Sequence, residues 1–349
     1  MIKLSGLLRQ SIYRSVINSK GSILIIALWA ITLLSVFAVI LGSQVRYKMA
    51  LVSRIEEKDQ LRYIAEAGVK LAESKLKLES ENTYHSMIDM WSNNPMAFKD
   101  INVGAGSFNV CYNYSYDNSK PAELKYGLID EERKININKA DITALKRLFM
   151  LVLGEGEDRA LELAGSIIDW RDRDEDLSVP TGSAESYYYR NLTYPYEAKN
   201  ADIEVLDELF LIRGVDNDTF NKIKDYITVY GSGRVNVNTA SKEVLMAAGL
   251  NDDIANDIIS FRMGKDKTIG TRDDGVFEST ADIVPKISQF VQLSASDMTT
   301  LNAVTDQYLT VSSSAFKVYS VAKMRNKKDM FTTTAVIDKK GKVLYWQES

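Results

Sequence analysis

The spacing of hydrophobic positions changes along the chain, and each change marks a segment. From Ile23 to Leu41 the sequence reads ILIIALWAITLLSVFAVIL, nineteen residues without a charge and interrupted only by Thr32 and Ser35. At a rise of about 1.5 Å per residue this matches a hydrocarbon core of about 30 Å, so a membrane-spanning helix is predicted. Beyond it Leu51, Ile55, Ile64, Gly68 and Leu71 recur at helical spacings, while Arg54, Glu56, Glu57, Lys58, Asp59 and Glu66 take the other faces and no proline occurs before Pro95. The pattern predicts one helix of about fifty residues, roughly 75 Å long, half in lipid and half packed on a soluble domain.

The period then shortens. Ser107 to Tyr116, SFNVCYNYSY, alternates and is rich in aromatic and β-branched residues, which predicts a strand, and Lys125 to Asn138 offers two more short ones. From Asp141 to about Leu301 the spacing turns helical in ADITALKRLFMLV, EDRALELAGSIIDW, DIEVLDELFLI, DTFNKIKDYITVY, SKEVLMAAGL and DIANDIISFRM, several of them opening after an Asp, Ser or Thr in the N-cap position. The end returns to strands, QYLTVSSSAFKVYSVAKM and MFTTTAVIDKKGKVLYWQ, with Lys340 and Gly341 at a hairpin turn. The fold class is therefore α+β: a long N-terminal helix packed on a small antiparallel sheet, with a large all-α domain inserted between strands.

Composition narrows the function. With 349 residues, 45% of them apolar, the chain can bury a real core, and a net charge of -4 offers no field to attract nucleic acid. The single cysteine, Cys111, excludes an internal disulfide and a Cys-rich zinc site, and reads as a small buried hydrophobe. Lys3, Arg9, Arg14 and Lys20 precede the span with no acid among them, which keeps the N-terminus cytoplasmic and sends the bulk across. Gln44, Arg46 and Lys48 follow the span directly, unlike the small-residue cleavage site of a secretory signal. No Gly-rich phosphate loop, GxSxG, HExxH or CxxC occurs, and the only histidine, His85, stands in a polar stretch and reads as an exposed linker residue; an enzyme is not expected.

A basic leader ending in Lys20-Gly21, an immediate apolar stretch and an amphipathic continuation of the same helix resemble the class III signal of type IV pilins and pseudopilins. The resemblance implies that a prepilin peptidase cuts between Gly21 and Ser22 and methylates the new N-terminus. The fifth residue after that cut is Ile26, where most of these proteins carry a glutamate that meets the N-terminal amine of a neighbouring subunit. Its absence resembles the K class of type II secretion minor pseudopilins. IDWRDRD from Ile168, GSAESYY from Gly182, YPYEAKN from Tyr194, LDELFLIRG from Leu206 and RVNVNTA from Arg234 resemble the inserted helical domain of that class in order and spacing.

The resemblance implies a pilin-like fold divided into a cytoplasmic prepilin leader at 1–21, the transmembrane part of the helix at 22–42, periplasmic helix and first strands at 43–138, an inserted helical domain at 139–303 and C-terminal strands at 304–349. It implies a single-pass inner-membrane protein with its bulk in the periplasm. Its role would be to initiate or cap the pseudopilus tip for export of folded proteins across the outer membrane, with other minor pseudopilins as partners.

Asp169, Asp172, Asp174, Glu175 and Asp176 crowd within eight residues and Glu185 follows after a turn. Such carboxylates repel one another unless a cation separates them, and hard oxygen donors from a loop suit calcium. Asp169, Asp172, Asp174, Asp176 and Glu185 are the candidate ligands, and Asp172, Asp174 and Glu185 also match the D-x-D and later glutamate of the K class, where calcium is bound. A second acidic loop from Gly264 to Gly275 carries Asp266, Asp273 and Asp274, and reads equally as a polar turn. RVNVNTA from Arg234 also opens the helix-hairpin-helix modules of DNA-uptake proteins, and KININKA from Lys134 echoes it. The turn that would hold a phosphate, Ala248 to Asp253, supplies one glycine and two acids, so a membrane-anchored DNA receptor ranks second and the motif reads as a capping and packing device.

Overall fold

The computed structural model describes residues 19–180, 182–325 and 327–349; the leader through residue 18 lies outside the described residues. The chain divides into a unit ending at Asp59 and a second running from Gln60 to Ser349.

Helix α1, Ser19–Leu78, begins in the first unit, with Gly21 and Ser22 in its first turn. Its stretch from Ser22 is long and apolar enough to cross a membrane. Thr32 and Ser35 donate their hydroxyls to the carbonyls of Trp29 and Ile31, so the two polar side chains of the span are satisfied within the helix, as lipid requires. Leu51 and Ile55 are about half exposed.

In the second unit α1 buries Leu61, Ile64, Ala65, Val69, Ala72 and Leu76, a stripe at helical spacing that begins ten residues later than Leu51. The stripe packs with Phe108, Val110, Phe316, Val318, Ala335 and Ile337 of the sheet. Gly68 sits where a Cβ would fall 2.1 Å from Ser320 Oγ and 2.9 Å from the Phe108 ring, so only glycine admits this approach of helix to sheet.

After α2 (Pro95–Phe98) come β1 (Ile101–Val103), β2 (Gly106–Val110), β3 (Tyr112–Tyr114), β4 (Glu123–Lys125), β5 (Ile129–Asp130) and β6 (Ile135–Asn136). Helices α3 (Ile142–Leu153), α4 (Glu157–Arg171), α5 (Ser186–Arg190) and α6 (Asn217–Ile223) lead to β7 (Ile227–Thr228) and β8 (Val235–Asn236). Then follow α7 (Lys242–Ala247), α8 (Asp252–Arg262), α9 (Ile283–Phe290) and α10 (Ala295–Tyr308), and finally β9 (Leu309–Thr310), β10 (Ala315–Met324), β11 (Met330–Asp338) and β12 (Val343–Glu348). The main sheet is antiparallel in the order β1-β2-β10-β11-β12, with β5 pairing the start of β10 through Asp130 opposite Phe316. Its last hairpin turns at Gly341, φ 82°, while Asp338 accepts from the N–H groups of Lys340 and Lys342.

The helical lobe has its own core, in which Leu145, Leu148, Phe149, Ile167, Trp170, Val237, Leu245, Ile258, Phe277 and Ile283 are buried together. Asp141, Asp216, Asn251 and Ser294 cap α3, α6, α8 and α10, and Asp141 is the one that the sequence pattern places there. Four expectations change. The expected strand over Ser107 to Tyr116 is two strands: the chain leaves the sheet at Cys111, which is half-buried and not fully buried, and β3 pairs with β4. DIEVLDELFLI forms only a 3₁₀ turn at Leu206–Leu211, because Glu208 Oε1 reaches back to the N–H groups of Glu204 and Val205 and closes the turn locally. DTFNKIKDYITVY stops being helical after Ile223, where Ile227 and Thr228 pair in parallel with Ile135 and Asn136. The lobe is thus not purely α: β8 likewise pairs in parallel with β9.

Candidate metal centre and its setting

Helix α4 ends at Arg171, whose guanidinium donates to the carbonyls of Ile137 and Ala140 and so turns away from the acids that follow. The loop then doubles back, with Val179 N–H donating to Ser183 Oγ, until Glu185 opens α5. This path brings one carboxylate oxygen each of Asp172, Asp174 and Glu185 within 4.8 Å of one another. Glu185 is buried, Asp172 half-buried and Asp174 exposed. Asp169 is fully buried, and its Oδ1 accepts from Ser178 N–H at 2.9 Å. Asp169 Oδ2, Asp172 Oδ1 and Glu185 Oε1 are buried without a hydrogen-bond partner among protein atoms. Burial, then the neighbouring charges of Asp174 and Asp169, raises the Asp172 carboxyl to about 6. Burial, then Asp169 and Asp172, raises Glu185 to about 7. Asp176 does not join the group: it is exposed, and only its backbone N–H contributes, donating to Asp174 Oδ1 at 3.0 Å. Converging acids with orphaned oxygens are the donor set of a hard cation.

The second acidic loop differs. One oxygen each of Asp266, Asp273 and Asp274 also come within 4.8 Å. Yet Asp273 Oδ2 accepts from the N–H groups of Lys265 and Asp266, and Asp274 Oδ2 from that of Gly270. Thr271 donates its hydroxyl to both Asp273 and Asp274. These acids close a turn with its own backbone.

The repeated Asn motifs work as matched packing devices. Asn138 pairs with the backbone of Ile203 in both directions, and Asn238 does the same with Phe277. Asn136 and Asn236 each accept from the N–H two residues on. Asn136 then donates to Tyr230 O, whereas Asn236 donates to His85 O, Asp130 Oδ2 and Ser313 Oγ. Both copies spend their amides on protein partners.

His85 is a correction to the exposed linker expected. It is fully buried, its Nδ1 accepts from Ser313 N–H at 3.0 Å, and burial, helped by Lys339, lowers it to about 4. It belongs to a buried polar junction that no spacing signalled. Asp130 Oδ2 accepts from Thr239, Ser313 and Asn236, and Glu132 from Ser232, Ser314 and Ala315, so two carboxylates of the segment that leads into the lobe hold both the middle of the lobe and the chain that leaves it. Burial and the nearby Asp130 raise Glu132 to about 7.

Residues 121–232 match the family model for type II secretion system (T2SS) protein K. Type II secretion system protein K of Aeromonas hydrophila is 35% identical over 138 residues, covering 38% of this chain and 39% of that protein. The protein of the same name from Pectobacterium carotovorum subsp. carotovorum is 30% identical over 111 residues, covering 30% of this chain and 33% of that protein. The matched stretch thus spans about two fifths or less of these relatives' own length. A chain in the crystal structure of the GspK-GspI-GspJ complex from the enterotoxigenic Escherichia coli type 2 secretion system superposes with a TM-score of 0.63 at 16% identity, covering 85% of this chain and 99% of that one, and shares its fold. Over residues 121–232, this chain is similar to the type II secretion system protein K family.

Proposed function

We propose that the protein is a minor pseudopilin at the tip of the type II secretion pseudopilus, where it initiates or caps assembly for export of folded proteins across the outer membrane. The observation that carries the reading is the family match over residues 121–232, which takes in the first part of the inserted lobe. A basic leader, the apolar start of α1 and Ile26 in place of a glutamate support it. A subunit with nothing above it has no amine to neutralise, so a carboxylate at that depth would stay unpaired in lipid. Its partners are other minor pseudopilins, a reading supported by the fold shared with a chain of a three-protein complex. The bulk faces the periplasm, by the positive leader. Its part is structural and not catalytic: the one histidine is engaged inside the fold. A DNA receptor loses its support, because both Asn motifs are used in packing.

Asp172, Asp174 and Glu185, with the buried Asp169 beside them, would hold calcium. The ion would supply positive charge where acids converge, and those side chains would then tie the end of α4 to the start of α5.

The test is intact-mass spectrometry of the protein from its native membrane. A mass beginning at Ser22 with one added methyl is expected. A chain still beginning at Met1, from cells that process other pilins, refutes the pseudopilin reading.

A further inference from the structure

On the side of the apolar run away from the leader, α1 carries a second group of cations. Arg46, Tyr47 and Lys48 come shortly after Leu41, and the first acid beyond the run is Glu56. On a helix the neighbours of Arg46 three and four positions away are Gly42, Ser43, Met49 and Ala50, and those of Lys48 are Gln44, Val45, Leu51 and Val52. None of these is charged, so neither cation has a carboxylate beside it on its own helix. Both side chains are exposed, and Tyr47 between them is 73% exposed.

Side chains of a helix lean toward its N-terminus, which here is toward the apolar run. Arg46 shows the lean: its Nη1 lies 3.7 Å from where a Cβ on Gly42 would stand. The guanidinium is therefore level with the first residue after Leu41, at the boundary of the hydrocarbon, beyond which the headgroup layer is about 5–8 Å thick. The backbone of Lys48 is about 10 Å past Leu41, and the same lean brings its ammonium back into that layer. Arg54, about 20 Å past Leu41, lies beyond it. Successive residues turn by about 100°, so Arg46, Tyr47 and Lys48 face three ways around the helix, with a tyrosine at the depth where such rings anchor spans.

We infer that Arg46 and Lys48 bind the phosphate groups of anionic phospholipids in the leaflet on this side, and so fix the depth of α1 in the membrane. Charge complementarity selects the occupant: unpaired cations stand level with a layer of phosphate esters, next to an apolar run that acyl chains surround. The inference rests on the reading of Ile23 to Leu41 as a membrane span.

The full chain in dodecyl maltoside is titrated with phosphatidylglycerol, with phosphatidylcholine of the same acyl chains, or with glycerol 3-phosphate, and bound molecules are counted by native mass spectrometry. Each cation at an anionic surface contributes about fivefold in affinity, so phosphatidylglycerol should bind about 25-fold more tightly than phosphatidylcholine. Arg46→Gln or Lys48→Gln should cut that preference about fivefold, the double variant should abolish it, and Arg54→Gln should leave it unchanged. Equal binding of the two lipids, a preference that survives the double variant, or the same loss in Arg54→Gln overturns the inference while the span stands. Binding of neither lipid refutes the span as well. Glycerol 3-phosphate bound as tightly as phosphatidylglycerol overturns the lipid assignment.

Discussion

Two acidic loops of this protein look alike in composition and differ in what their oxygens touch. In the loop from Asp172 to Glu185, three buried carboxylate oxygens, counting that of Asp169, lack a protein donor. In the loop from Gly264 to Gly275, backbone N–H groups and Thr271 satisfy Asp273 and Asp274. Clustered acid is therefore no signature of a cation by itself. Unspent acceptor capacity is the discriminating property.

The comparison breaks most visibly on calcium. At a free concentration one hundred times its Kd, calcium should stabilise the protein by about 2.7 kcal/mol. Thermal melting should show the gain disappear in the double variant Asp172→Ala, Asp174→Ala and persist in Asp273→Ala, Asp274→Ala. A shift that follows the second pair would reverse the assignment of the loops. The next effect is smaller: with or without calcium, Asp274→Ala should cost about 1–2 kcal/mol in chemical denaturation, because a turn loses its acceptor.

Without calcium, pH sharpens the contrast. Glu185 is raised to about 7 in the fold, so between the ordinary glutamate range and 7 the native state holds a proton that the unfolded chain has lost. Stability should accordingly fall as pH rises from 5 to 8. Glu185→Gln should flatten that profile by about 1 kcal/mol, measured as the difference between the two proteins' unfolding free energies. A wild-type profile already flat, or one unchanged by the substitution, would contradict the burial assigned to Glu185.

What the sequence disclosed follows the range of each interaction. The apolar run from Ile23 to Leu41, the helix cap at Asp141 and the hairpin at Gly341 are local patterns, and all were legible. So was the meeting of Asp172, Asp174 and Glu185, which one loop brings about. Asp176, two residues beyond Asp174, has the same chemistry but points to solvent, and no spacing separates it from its neighbours. The junction around Asp130 and Glu132 was illegible because its partners lie about a hundred to nearly two hundred positions away. His85 was misjudged for the same reason: its polar neighbours in sequence suggested solvent, while its real neighbours include Trp91, Phe316 and Ser313. Ile55 fits the helical period yet remains exposed, since period identifies a face and not what covers it.

The pairing of Asp130 with Phe316 sets the two ends of the insertion side by side on adjacent strands. Closing a flexible loop costs entropy only as the logarithm of its length, each doubling adding about 0.6 kcal/mol. To the sheet, the lobe is therefore a detour between two neighbouring stations. The same sheet and helix could carry a longer, shorter or differently shaped lobe, provided Asp130 and Glu132 still find partners within the lobe and in the chain that leaves it.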